Sequence, residues 1–145
     1  FGMAGGQAID IESVGQVLDI DRLEDMHRRK TGELMRASVL LGAYAAPTQD
    51  PQLLLAMEDF GRAIGLAFQV VDDILDVIAD TATLGKPQGS DQARDKPTYP
   101  ATMGLDAART HAERLYYAAL ASLAPLGDNG RILSGIADFI VHRKQ

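Results

Sequence analysis

Apolar residues recur along this chain at spacings of three and four, the period of an α-helix, and no stretch sustains the alternation of a strand. The first run predicts a helix over residues 3–14, with Gly15 near its end. "DIDRLEDMHRRKTGELMRASVLLGAYAA" predicts a second, with Asp19 or Asp21 as N-cap and a stop at Pro47. Its centre holds Thr31-Gly32, a β-branched residue beside a glycine, where a bend or weak point is expected. In the third helix Asp50 caps, Pro51 takes the first helical position and the pattern runs to about residue 79. Gly61 and Gly65, four apart on that helix, predict close packing against another backbone.

From residue 80 to 100 the character changes to "DTATLGKPQGSDQARDKPTYP", and so long a connection without regular structure is usually functional or disordered. A short helical turn is predicted at 101–103, then helices over about 106–124 and 129–142, the last ending in the basic "HRKQ". The expectation is one all-α domain, residues 1–145, with a single long polar loop.

Composition narrows the function. The chain has 145 residues, 46% of them hydrophobic, enough for one real core. Its net charge of −6 and pI near 4.9 argue against a nucleic-acid groove, which would show a basic stripe. Cysteine is absent, which excludes disulfides, zinc ribbons and thiolate nucleophiles. The apolar runs are too short for membrane insertion, so the expected location is cytoplasmic. The chain opens on Phe1 in "FGMAGGQAID", which reads like the middle of a helix, so a piece of a longer protein is expected.

The chemistry sits on the third helix. Gln69, Asp72, Asp73 and Asp76 fall at spacings that place them along one face, and like charges so close call for compensation. A hard divalent cation bound through oxygen, often shared with a substrate phosphate, supplies it; arginine or lysine partners, or plain solvation, are the other readings. Lys86 and Lys96 on the polar loop and Lys30 at the weak point of the second helix could clamp an anion whose charge the metal shares. Acids and lysines together suggest a metal–diphosphate site.

The stretches "GMAGGQAID", "HRRKTGELMRAS", "GLAFQVVDDILDV", "DTATLGKPQGSDQARDKPTYPATMGL" and "DFIVHRKQ" make the chain resemble the C-terminal half of trans-type (E) polyprenyl diphosphate synthases, most nearly the bacterial farnesyl type. The resemblance implies half of the isoprenoid-synthase helical bundle and a Mg2+-dependent condensation of an allylic diphosphate with isopentenyl diphosphate. It makes "DDILD" the second aspartate-rich motif, with Asp72 the direct metal ligand and Asp73 and Asp76 bound through water or in the outer shell. It gives Lys30 and Lys86 the allylic diphosphate and sets Lys96 in the same pocket. The Lys30 carbonyl, Thr31 hydroxyl and Gln69 amide become dipoles that stabilise the allylic cation. Diphosphate itself is the implied base.

The family's first aspartate-rich motif has no counterpart in this sequence, so these 145 residues alone are expected to be inactive. Uncovered apolar faces predict a homodimer or association with the missing N-terminal half. Other readings are a geranylgeranyl diphosphate synthase, a terpene cyclase, whose second metal motif usually differs from "DDILD", a non-catalytic regulatory subunit, and a ferritin-like bundle. The last draws on the Glu24–His27 spacing but lacks a second E-x-x-H.

Of the remaining polar residues, His27 is expected on the helix surface near Lys30, and His111 and His142 in solvent. Gln7 and Asp10 are given structural roles, and Tyr116, Tyr117 and Phe139 a core or interface stripe. Arg143 and Lys144 either favour the helix dipole or close over the diphosphates.

Overall fold

A computed structural model describes residues 2–47, 50–83 and 97–143, with the last turn of the long helix, 80–83, described by its backbone alone. Every regular element among the described residues is helical. Helix α1 (Gly2–Glu12) leads to a turn at Gly15, whose φ of 75° lies in the region glycine adopts freely. Helix α2 (Ile20–His27) starts where the Asp19 carboxylate accepts the Arg22 N–H at 2.9 Å, an N-cap bond that satisfies one orphan donor.

The predicted weak point is a π-helical turn, Arg28–Gly32, which passes directly into α3 (Glu33–Tyr44). In it the Arg28 carbonyl accepts the N–H of Glu33, five residues on rather than four. The expected bend is therefore a widened turn within one continuous helical path. Helix α4 (Pro51–Thr83) begins as predicted, with Asp50 Oδ1 accepting the Gln52 N–H at 2.8 Å. It runs past residue 79, because Asp80 to Thr83 contain neither glycine nor proline to stop it.

Helix α5 (Tyr99–Met103) begins two residues earlier than expected, because the Thr98 hydroxyl caps it by accepting the Ala101 N–H at 3.3 Å and Pro100 fits its first turn. Helix α6 spans Leu105–Ser122. A 3-10 segment, Ala124–Gly130, broken at Gly127, replaces the expected ends of the last two helices, and α7 is Arg131–His142.

Helix α4 is the axis of the fold, packed most extensively on α6 and α3. It serves two apolar clusters. Toward its middle, Leu66, Val70, Val71 and Ile74 meet Leu18, Leu23, Met26 and Tyr99. Toward its start, Met57, Phe60, Ile64 and Ala67 meet Ala119, Leu123, Ala137 and Ile140. No helix among the described residues is long and apolar enough to cross a membrane.

Glycine sets how near the helices come. A Cβ on Gly65 would lie 2.9 Å from the Gly32 Cα, and one on Gly61 2.9 Å from the Arg36 Cα, so both contacts need the bare backbone predicted for them. Arg36 then ties α3 to α4 through Glu58 at 3.0 Å. On α1 a Cβ on Gly6 would meet the Lys30 backbone nitrogen at 2.2 Å, so α1 lies directly on the π-turn. Gly6→Ala should lower stability by about 1–3 kcal/mol through this backbone clash. Gly5→Ala, where a Cβ meets nothing within 4 Å, should raise it by roughly 0.5–1 kcal/mol. Urea midpoints measure both; equal effects would contradict the close approach of α1.

Candidate active site

The π-turn and the middle of α4 bring together residues far apart in sequence. The Thr31 hydroxyl donates to Gln69 Oε1 at 2.9 Å. Gly32 and Gly65, in contact without side chains between them, make this meeting possible. One residue before Thr31, Lys30 Nζ donates to Asp10 Oδ2 at 2.7 Å across to α1. Asp10 is buried, so a paired lysine compensates what would otherwise be a costly burial. The structural role expected of Asp10 is thus to hold Lys30; Gln7 is exposed.

The three acids of α4 occupy different environments. Asp76 is exposed and Asp72 is half-buried, with its side chain 42% accessible. Asp73, rotated by one residue toward the interior, is buried. Its Oδ2 accepts the Tyr99 N–H at 3.0 Å and lies 3.7 Å from His27 Nε2. Burial pushes the Asp73 carboxyl up to about 7, and Asp76 and Asp72 add to the rise, against the lowering influence of the Tyr99 N–H and the Gln69 side chain. The single polar stripe read from spacing is therefore divided: Asp72 and Asp76 face outward, and Asp73 faces the core.

Asp72 already has a cation beside it. Arg143, just past the end of α7, pairs through Nη2 with Asp72 Oδ1 and lies 4.3 Å above the Phe68 ring. Its guanidinium also donates to the Ile140 and Phe68 carbonyls, at 3.3 and 3.5 Å. The bond to Ile140 is a contact with a last-turn carbonyl of α7, as the helix-dipole reading expects, while the pair with Asp72 brings the arginine onto α4. Lys144, Lys86 and Lys96 lie outside the described residues.

Two histidines differ from expectation. His27 is buried, not on the surface, and its ring stacks on Tyr99 at 5.5 Å between centroids. His111 is buried too, its ring 5.7 Å from that of Tyr99 and its Nε2 3.3 Å from Glu24. Burial lowers His27 to about 4, helped by Lys30 and opposed by Asp10; burial also lowers His111. The expected solvent position holds only for His142, which pairs with Asp138 and Glu113 at 3.0 and 3.2 Å. Tyr117 and Phe139 are exposed, whereas Tyr116 is half-buried and packs against the apolar cluster at the start of α4.

No three His, Asp or Glu side chains among the described residues converge closely enough to hold a metal by themselves. This also removes the geometry a ferritin-like site would need. It leaves the mode in which a hard cation takes one or two carboxylates and completes its shell with water and substrate phosphate. Asp72 and Asp76 fit that mode: they lie one turn apart, open to solvent, with a guanidinium against one of them.

Residues 1–123 match the family model described as polyprenyl synthetase. This chain belongs to the polyprenyl synthetase family. It is 47% identical to farnesyl diphosphate synthase of Escherichia coli over 99% of the chain and 49% of the relative. It resembles the solved structure of an FPP/GFPP synthase from Zymomonas mobilis, with a TM-score of 0.79 and 32% identity over 97% of this chain and 45% of that one. It also resembles a Helicobacter pylori geranyltransferase complexed with magnesium and isoprenyl diphosphate, with a TM-score of 0.75 and 31% identity over 97% and 46%. The chain spans about half the length of the curated relatives it matches. An all-α architecture is what these polyprenyl synthetase neighbours share with it.

Within this polyprenyl synthetase chain, sequence reading passed over Tyr99 and misplaced His27 and His111. The signal was present in the helical period. His27 falls four after Leu23 and one after Met26, both fully buried, and His111 falls among Ala108, Ala112 and Leu115. Both histidines occupy core positions of their helices.

His27 and Asp73 pull the pH dependence of stability in opposite directions. His27, lowered in the fold, contributes stability that is present above about 6.5 and is lost as pH falls toward 4. Asp73, raised in the fold, contributes stability present below about 3.8 and lost as pH rises through about 7. The native chain should therefore show a shallow profile between pH 4 and 6.5, where the two oppose each other. His27→Gln should expose the Asp73 slope, losing stability steadily as pH rises from about 4 to 7. Urea midpoints across that range check it, and an unchanged profile would refute the opposition.

Proposed function

We propose that this chain forms one wall of a Mg2+-dependent prenyltransferase site that joins an allylic diphosphate to isopentenyl diphosphate, in the manner of short-chain farnesyl or geranyl diphosphate synthases, in the cytoplasm. The observation that carries the reading is the meeting of Thr31 and Gln69 at 2.9 Å beside Lys30, one turn along α4 from Asp72. Neutral oxygens, a cation for phosphate and outward carboxylates for a metal then lie on neighbouring elements.

The roles follow from charge. When bound, Mg2+ supplies Lewis-acid neutralisation of the diphosphate that leaves, and Asp72 and Asp76 are the side chains that would hold it. Arg143 exchanges its carboxylate contact for the substrate's phosphate oxygens as the site fills. Lys30 leaves its pairing with Asp10 to grip the allylic diphosphate, with Lys86 and Lys96 as its partners from the polar stretch. The Lys30 carbonyl, the Thr31 hydroxyl oxygen and the Gln69 carbonyl oxygen present fixed dipoles to the allylic cation, stabilising it without capturing it. The diphosphate takes the proton lost when the new carbon–carbon bond forms.

The presence of Lys30, Asp72 and Asp76 favours a catalytic wall over a regulatory subunit, which has no need of them. Catalysis requires an opposite wall with its own acids. Exposed apolar side chains, among them Leu41, Tyr44 and Leu55 on α3 and α4, favour a homodimer or pairing with such a helical half.

The test replaces the matching half of E. coli farnesyl diphosphate synthase with this chain. Isopentenyl diphosphate, geranyl diphosphate and Mg2+ are supplied, with circular dichroism as the folding control. The folded chimera should turn over, and the chain alone should show negligible product. In the chimera Asp72→Ala should cost at least about 100-fold in rate. Turnover by the chain alone, or a fully active Asp72→Ala chimera, would overturn the reading.

A further inference from the structure

Asp73 is the acid that the metal reading fits least. It follows Asp72 by one residue, a rotation of about 100° on the helix, which carries it from the open side of α4 into the interior. Four elements meet around it. Tyr99, the first residue of α5, donates its N–H to Oδ2 at 3.0 Å. His27, from the end of α2, brings Nε2 to 3.7 Å of the same oxygen. Gln69, one turn earlier on α4, takes the Thr31 hydroxyl from the π-turn on its oxygen, and its side chain lowers the Asp73 carboxyl against the effect of burial.

A metal ligand needs a lone pair open to a partly hydrated ion. Asp73 lacks that access, and its Oδ2 is committed to a backbone N–H within the apolar cluster of Leu23, Met26, Val70 and Tyr99. A buried backbone donor must be matched, and the Asp73 carboxylate meets that demand for the Tyr99 N–H.

We infer that Asp73 is a positioning residue and not a metal ligand: it pegs the first residue of α5 to α4 and backs the Gln69 amide against Thr31. The peg matters to the site because it fixes where α5 starts against α4, the helix that carries Gln69 and Asp72. The backing matters because an amide held at its nitrogen end keeps its oxygen turned toward Thr31. The adjacent acids of "DDILD" thus divide two tasks, Asp72 outward to charge and Asp73 inward to geometry. The inference rests on the proposed function only for what Gln69 does, not for the peg itself.

The test uses the chain as it stands, with Asp72→Asn, Asp73→Asn and Asp73→Ala. Mg2+ is titrated by calorimetry in the presence of inorganic diphosphate, and amide exchange and side-chain amide signals are followed by NMR. Asp72→Asn should weaken Mg2+ at least about tenfold, whereas Asp73→Asn, which keeps an oxygen for the Tyr99 N–H, should leave it unchanged. Loss of the hydrogen bond in Asp73→Ala should speed Tyr99 amide exchange about tenfold, with protection rescued in Asp73→Asn. The Gln69 side-chain amide signal should move in Asp73→Ala and stay in Asp72→Asn. Loss of Mg2+ in Asp73→Asn equal to that in Asp72→Asn would overturn the inference, as would native protection of Tyr99 in Asp73→Ala. Should Asp73→Ala not fold, Asp73→Asn decides: native Tyr99 protection with native Mg2+ affinity supports the peg, and loss of either overturns it. Were Asp72→Asn to bind Mg2+ like the native chain, the metal reading would fail while Tyr99 exchange still decided the peg.

Discussion

The contact of bare backbone between Gly65 on α4 and Gly32 at the end of the π-turn governs the candidate site. A side chain at Gly65 would press on the Gly32 backbone and push the π-turn away from α4, at the expense of the Thr31–Gln69 hydrogen bond. The same economy recurs at Gly6, which lets α1 rest on the backbone of Lys30 and bring Asp10 to its ammonium. The widened turn is thus gripped from two sides, by α1 and by α4. Such grip is what a π-turn needs to persist, since its hydrogen-bond pattern competes poorly with a regular helix.

Onto that frame the chain distributes charge by rotation around α4. A hydrophobic helix can carry three aspartates in five residues because each has a different answer to the cost of burial. Asp76 stays in water, Asp72 takes Arg143 at the rim, and Asp73 takes a backbone N–H inside. Arg143 is itself only 10% accessible and held over Phe68, so the end of α7 is drawn across the acidic face. In the proposed reading, a cation delivered with diphosphate would meet Asp72 in competition with this arginine. That exchange would couple filling of the site to the position of Arg143.

Much of this was legible in the sequence because short-range signals caused it. Asp19 and Asp50 cap where their spacing says, Pro51 opens α4, and Thr31-Gly32 marks the irregular turn. Gly61 and Gly65 announced close packing by their interval of four. Boundaries slipped where a single residue decided them: Thr98 capped α5 early, and residues 80–83 continued α4 for want of a breaker. The burial of His27 and His111 around Tyr99 was lost for a different reason. Residue type suggested solvent, while their positions among Leu23, Met26, Ala108 and Ala112 placed them on the core faces. The division between Asp72 and Asp73 needed the structure, because spacing alone puts neighbouring acids on one broad stripe. Lys30 was recognisable as a cation beside the turn, but its pairing with Asp10 depends on where α1 docks.

The central claim is that a hard divalent cation binds the outward face of α4 at Asp72 and Asp76. Mn2+ added with inorganic diphosphate offers the most direct measurement, since a paramagnetic ion broadens the NMR signals of the amides nearest to it. Broadening centred on Asp72 and Asp76 and weakening along α4 in both directions is the predicted result. Sharp signals there, with broadening at exposed acids elsewhere such as Asp106 and Asp138, would contradict it.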